Sequence, residues 1–384
     1  MLRDLRKATA AAIVAFVVTL IAAHLRSSPY NNYVLLADAL LHGHTWITWP
    51  GPYIDALAYN GHFYVIEGPL PALILLPWVA ISGTAANQTI LAALLTAVAS
   101  GACWRLGERL GARDADNAWI SAFFLAGTDL LWCAMLGDVW FLAHVSAVCF
   151  TMLALVELFG KRRAWLIALL GVCAAESRFT LALALPVYAA YLWWCGERGR
   201  MRWAGFGIVL SATALLWVLY NESRWGTVSD IGYTTWYHQD QAGLPSGSPF
   251  RFQYLAYQAW SFFVQLPGFS AAFPWIRPSY SGVALTWTSP ALIYALWARR
   301  PRPAVVALWC AVVLTAVPNF LYYVNGFAQY GMRHALDFEP FLIALMFIAG
   351  RNGLALWAKI LIAYSCAAGA YGVWYWDAFG RPGN

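Results

Sequence analysis

The feature that most constrains this chain is a recurring apolar run of about the length that crosses a bilayer, cut off each time by a short basic cluster. Such runs cover 8–25, 88–106, 116–135, 140–159, 164–176, 179–195, 204–220, 283–298, 303–323, 335–350 and 353–375, with a further one at 68–83. A hydrocarbon core takes about 20 apolar residues per helix, so 384 residues hold roughly a dozen crossings and some loops. Hydrophobic residues make up 61% and charged residues 11%, against about 45–50% and 25% in a soluble domain. The chain therefore reads as an all-α polytopic membrane protein, one transmembrane domain over 1–384 with no soluble domain.

The net charge of +6 falls in clusters between the runs: Arg105/Arg109/Arg113, Lys161-Arg162-Arg163, Arg198/Arg200/Arg202 and Arg299-Arg300/Arg302. This positive-inside pattern marks cytoplasmic loops and removes the nucleic-acid reading that a basic soluble protein would carry. The stretch Ala8 to Ala23 follows Arg3, Arg6 and Lys7, and no small-residue cleavage site precedes Arg26-Ser27-Ser28. It is expected to be an uncleaved first span. If 68–83 crossed as well, the Arg105 cluster would fall outside, so 68–83 is expected to be re-entrant or juxtamembrane. Pro69, Pro71 and Pro77 suit that placement, because irregular backbone at membrane depth needs protein or a wet cavity beside it. About eleven spans result, with the N-terminus cytoplasmic and the C-terminus extracytoplasmic. The outer loops are 26–67, 221–282 and a short one near Tyr322 to Met332.

The seven cysteines lie in or beside apolar runs without CxxC spacing, so neither disulfides nor zinc are expected. No internal repeat stands out, which removes the signature of an inverted-repeat transporter.

Acidic residues are biased to the outer side: Asp38, Asp55, Glu67, Asp138, Glu176, Glu222, Asp230, Asp240, Asp337 and Glu339. Singly, each could cap a helix or sit in solvent; together they point to an outward-facing polar cavity. Arg178, Arg224 and Arg333 break the positive-inside pattern at outer helix ends. A guanidinium there suits a phosphate, which it grips bidentately. Pairing with Glu176, Glu222 or Asp337, or contact with lipid headgroups, would use the same residues. In the first outer loop, 33–41 forms a short amphipathic helix ending at Gly43, too short to span. His42, His44 and His62 are expected to be interfacial polar side chains rather than metal ligands.

In order along the chain stand the first span, the amphipathic helix, Gly43, Trp46 to Pro50, Asn60-Gly61-His62-Phe63-Tyr64 and Gly68-Pro69-Leu70-Pro71. This order resembles the first periplasmic loop of GT-C membrane glycosyltransferases of the protein mannosyltransferase and aminoarabinose transferase type. Later segments look similar too: Gly137-Asp138, Lys161-Arg162-Arg163, Ser177-Arg178, Tyr220-Asn221 with Arg224-Trp225-Gly226, and Tyr330 to His334 followed by Asp337 and Pro340. The resemblance implies a GT-C fold and a sugar donated from a polyprenyl phosphate on the extracytoplasmic face. Two departures stand out. Pro29 and Tyr30 occupy the place of the family's usual Asp-Glu pair, and Glu67 stands where the aminoarabinose transferase type has a Lys. Either neighbours took over those roles, or the chain is a catalytically altered relative.

The mechanism expected from the first alternative is inverting single displacement. A phosphate leaving group wants positive charge, supplied by Arg178, Arg333 or Arg224. The acceptor hydroxyl needs a general base, Asp55 first and Asp38 second. Trp46, Trp49, Tyr64 and the loop 230–280, with Tyr233, Trp236, Tyr237, Tyr254, Tyr257 and Trp260, would wall the pocket. Glu67, Asp138 and His334, in or beside the matched segments, are further substrate-contacting candidates. No cofactor is expected, and the sequence does not decide whether a divalent metal assists. The partners would be a polyprenyl-phosphate-linked sugar, a glycan, lipid or protein acceptor, and membrane lipids, in a bacterial plasma (inner) membrane. The rival readings are a lipid or amphiphile transporter or flippase and a non-catalytic scaffold. A transporter should carry ionisable groups near mid-span, where only Asp129 and Glu157, both placed near span ends, come close.

Overall fold

The computed structural model describes residues 2–52, 54–240 and 247–379. Helix α1 (Leu2–Ala23) leads to α2 (Asn32–Leu41) and then to a two-stranded hairpin, β1 (Leu57–Tyr59) paired antiparallel with β2 (His62–Tyr64). Asn60 and Gly61 both adopt positive φ, +47° and +79°, as a two-residue Asn-Gly turn between twisted strands demands. α3 (Leu70–Ser82) packs on α2. Asn87 Nδ2 then donates to the Leu25 carbonyl at 3.5 Å. The chain thus rejoins the bundle at the end where it left.

The bundle continues with α4 (Gln88–Leu110), α5 (Asp114–Ala122), a π-helical turn over Phe123–Gly127, α6 (Leu130–Leu136), α7 (Val139–Leu158) and α8 (Ala164–Ser177). A 3₁₀ segment over Phe179–Ala184 runs into α9 (Leu185–Trp194), followed by α10 (Arg200–Trp225). The segment 221–282, the expected second outer loop, holds α11 (Gly232–Asp240), α12 (Leu255–Phe263) and the short pair β3 (Gly268–Phe269) and β4 (Ile276–Arg277). α13 (Leu285–Thr288), α14 (Arg302–Leu321), α15 (Glu339–Ala349) and α16 (Leu356–Phe379) complete the chain.

Six helices are long and apolar enough to cross a membrane, and α5 with α6, bent by 46°, make a seventh if taken as one span. The other expected spans are shorter helices, so a count of eleven requires those to cross too. The expected span 283–298 is in fact α13 plus a 3₁₀ segment over Pro290–Trp297, divided at Ser289-Pro290; a proline withdraws a backbone donor and clashes with the preceding turn. Asp129 lies at the break between the π turn and α6, inside that bent span and not near its end. Glu157 does lie at the end of α7, held by Arg163 Nη2 at 2.8 Å.

α7 is 78% buried and α10 only 6%, so α7 is the axis of the bundle and α10 faces outward. The core runs through α4, α7, α8 and α15. The two ends are distinct. Lys7 pairs with Asp114 and Arg113 with Asp116 at one end. Arg26 and His24 meet Asp377 at the other, which puts the end of α16 beside the end of α1. The C-terminal residue Asn384 and residues 241–246, within the expected second outer loop, lie outside the described residues.

Candidate active site

At the end where α1 and α16 finish, a cavity of about 660 Å³ opens between the segment 26–67, the start of α7, the end of α8, α11 and the segment after α14. Its charged and polar walls are Asp55, Glu67, Asp138, Arg178, Arg333 and His334, with Tyr30, His144, Asn319 and Tyr322. Tyr233, Trp236, Trp140 and Phe141 supply ring faces.

Local structure explains the placement of each group. Buried Asn32, at the start of α2, donates from Nδ2 to the Asp55 carbonyl at 2.6 Å, and Trp49 Nε1 donates to the Ile54 carbonyl at 2.8 Å. These two bonds fix the turn that presents Asp55. Gly68 presses against the end of α8, where a Cβ would lie 2.0 Å from the Glu176 carbonyl oxygen; only glycine allows that approach, and it carries Glu67 to the cavity wall. Burial pushes the Glu67 carboxyl up to about 7, and the nearby Asp55 charge adds to the rise, against its own backbone N–H and Arg178. Asp138 precedes α7 and accepts from Ser28 Oγ at 2.5 Å.

The two cavity arginines differ. Arg178 donates from Nη2 and Nε to Asp337 at 3.0 and 3.2 Å. Asp337 is fully buried and also accepts from Thr180 Oγ1 at 2.7 Å and Asn319 Nδ2 at 3.0 Å, with His144 Nδ1 at 3.1 Å. Arg333 instead donates from Nη1 to Gln329 Oε1 at 2.8 Å and the Phe327 carbonyl at 3.2 Å, with its guanidinium over the Phe141 ring. Its Nε is buried without a hydrogen-bond partner, and among the described residues no carboxylate lies within ion-pair distance of it. His334 Nδ1 is likewise buried and unpartnered. A buried cation with donors in hand and no anion of its own is suited to an incoming anion.

Several expected site residues stand elsewhere. Asp38 sits on the partly exposed side of α2, 3.8 Å from His42, and does not line the cavity. Arg224 donates to the Val65 carbonyl at 2.5 Å and stacks on Trp225 and Tyr220, so it pins the hairpin to the end of α10. Trp46 is stacked between His44 and His62 and Trp49 on Phe63, and Tyr64 is tilted against Trp225; these rings build the hairpin's own support. From the second outer loop Tyr233 and Trp236 reach the cavity, whereas Tyr237 and Tyr254 face each other and Tyr257 and Trp260 are exposed.

Sequence reasoning missed His144 and Asn319, polar residues inside apolar runs, where burial in a bundle is costly enough to signal a role. Tyr30 entered it only as a departure from a pattern. Asp129 was misplaced, and its carboxylate lies against Gly331, two residues before Arg333. Among the described residues no group of three or more His, Cys, Asp or Glu side chains is arranged to hold a metal ion.

Fold and cavity together define an integral membrane protein with a bundle of apolar helices and a charged chamber at one end. No family model and no curated protein matches the chain. Among solved structures it is similar to ArnT from Cupriavidus metallidurans bound to undecaprenyl phosphate, with a TM-score of 0.55 and 16% sequence identity. The match covers 89% of this chain and 59% of that one. The likeness is one of fold, and that fold is GT-C.

Proposed function

We propose that the chain is a glycosyltransferase that moves a sugar from a polyprenyl-phosphate donor to an acceptor on the extracytoplasmic face. The observation that carries this reading is that carboxylates Asp55, Glu67 and Asp138 line one chamber with Arg333, a buried cation that no carboxylate among the described residues meets within ion-pair distance. That the similar ArnT structure holds undecaprenyl phosphate supports a lipid of this class.

In this mechanism Arg333 takes the donor phosphate and stabilises the charge that grows as the bond between phosphate oxygen and sugar C1 breaks. Arg178, already neutralised by Asp337, adds hydrogen-bond donors more than net charge. Asp55 accepts the proton of the acceptor hydroxyl as its oxygen attacks C1 from the opposite face, so one displacement inverts the anomeric centre. The phosphate leaves as an anion and needs no acid. Glu67, half protonated near neutrality, can donate a hydrogen bond to a sugar hydroxyl. Tyr233 and Trp236 offer faces for the sugar or the first isoprene units.

The chamber then opens to the extracytoplasmic side of a bacterial inner membrane, and both termini follow the basic-loop pattern: N-terminus in, C-terminus out. The test is to incubate purified protein with a panel of polyprenyl-phosphate sugars and measure release of polyprenyl phosphate. Donor-dependent release is the expected result. Binding of the lipid with no release across the panel would move the chain to the transporter or scaffold class.

A further inference from the structure

The end of the bundle away from the chamber carries a second feature that no transfer chemistry uses. Arg299, Arg300 and Arg302, at the start of α14, and Arg351, between α15 and α16, surround an open groove of about 720 Å³ with Pro301. The groove shares its face with the other basic loops. Arg351 lies against Gly111, Arg113 against Gly353, and Arg109 against Gly160.

Charge accounting shows that the carboxylates of that face are taken by other bases. Glu108 is held by Arg105, Asp114 by Lys7, and Glu197 by Arg202. Glu157 is held by Arg163 at 2.8 Å, and Asp116 by Arg113 at 2.7 Å and Lys359 at 3.8 Å. Among the described residues no carboxylate lies within 4.0 Å of Arg299, Arg300, Arg302 or Arg351. Four exposed guanidinium groups thus converge on one groove, with every acid of the face whose side chain is described engaged elsewhere. The first-turn amides of α14, a helix of 20 residues, add the positive end of its dipole.

The groove also meets an apolar, ring-bearing surface. Trp297 and Trp357 pack with ring centroids 4.9 Å apart, both exposed, and Leu296 and Leu356 beside them are exposed as well. Exposed tryptophans next to arginines mark a membrane interface, so a ligand here would bring acyl chains as well as negative charge. Four cations exceed what one phosphate can engage bidentately.

We propose that this groove binds a phospholipid whose headgroup carries two phosphates, of the cardiolipin class, in the leaflet on that side. Its phosphates bridge Arg299/Arg300 and Arg302/Arg351, and its chains lie along Trp297 and Trp357. The shared chemistry is a pair of phosphates, which a free diphosphate also offers.

The test is native mass spectrometry of the detergent-purified full chain with tetraoleoyl cardiolipin, dioleoyl phosphatidylglycerol or inorganic pyrophosphate. Cardiolipin should bind more tightly than the singly charged lipid. The double variant R302Q/R351Q should lose about 30-fold in cardiolipin affinity, from roughly fivefold per arginine at an anionic surface. R302K/R351K should keep much of it, and R202Q, whose arginine is held by Glu197, should be unchanged. Should the double variant not fold, Arg351→Gln alone should lose about fivefold. Cardiolipin bound equally well by the folded glutamine variants would overturn the site. Equal affinity for phosphatidylglycerol would overturn the two-phosphate specificity, and pyrophosphate binding as tightly as cardiolipin would overturn the lipid source.

Discussion

Arg178 and Asp337, 159 positions apart in the chain, meet at the floor of the chamber through two N–H donors on two carboxylate oxygens, at 3.2 and 3.0 Å. Asp337 is fully buried, and Arg178, 13% exposed, lines the chamber. Removing one member strands the other charge, which costs about 3–5 kcal/mol. Asp337→Ala should therefore lower the thermal unfolding midpoint in detergent substantially. Arg178→Lys should do so less, since one contact survives without the bidentate fork. An Asp337→Ala protein that melts with the parent would show that the pair holds nothing together.

Among the described residues Arg333 meets no such partner, and its loss should be felt by ligand more than by fold. Arg333→Ala should weaken binding of a polyprenyl phosphate by about 2–4 kcal/mol, roughly 30- to 900-fold. Arg333→Lys should recover part of that. Titration of a fluorescent polyprenyl phosphate into each folded variant decides it; unchanged affinity would return Arg333 to a structural role.

Asp55 and Asp38 can be separated by one pair of conservative changes. Asp55→Asn keeps size and hydrogen bonding but cannot take a proton, so turnover should fall by ~10²–10⁴-fold while donor binding survives. Asp38 lies outside the chamber, and Asp38→Asn should cost little. Near-normal turnover of a folded Asp55→Asn protein would pass the role to Glu67 and then Asp138.

Glu67 gives the chamber a pH response. With its carboxyl pushed up to about 7 by burial, it is neutral below that value and becomes an anion as pH rises through it. An anion there repels a phosphate, so donor affinity should fall between about pH 6 and pH 8. Glu67→Gln should flatten that slope and match the low-pH affinity of the parent. A slope that persists in the glutamine variant would assign the response to another group.

Orientation is open to direct measurement. Accessibility tags at Arg162 and Arg200 should report cytoplasm, and a tag at Gly247 the outside. All three reversed would place the chamber on the cytoplasmic face and remove the extracytoplasmic reaction.

The sequence by itself determined the solvent of this protein and its class of fold. Hydropathy is a local property, and a run of apolar residues in lipid must be a helix because the backbone has no other way to satisfy itself. The short helix expected over 33–41 and found over Asn32–Leu41 was legible for the same reason, since length and periodicity act within a few residues; the hairpin at Asn60-Gly61 went unread, although its turn chemistry is equally local. Tertiary structure alone decided which polar groups meet. Nothing near Arg178 in the chain announces Asp337 in preference to Glu176, and only the packing of α7, α8 and α14 brings Arg178, His144, Thr180 and Asn319 around one carboxylate. The same packing set Trp46, Trp49 and Tyr64 against the hairpin's own rings, and Arg224 onto a backbone carbonyl. An aromatic ring or a guanidinium is equally able to bind a ligand or fill a core, and the choice between the two is made by neighbours that lie far away in sequence.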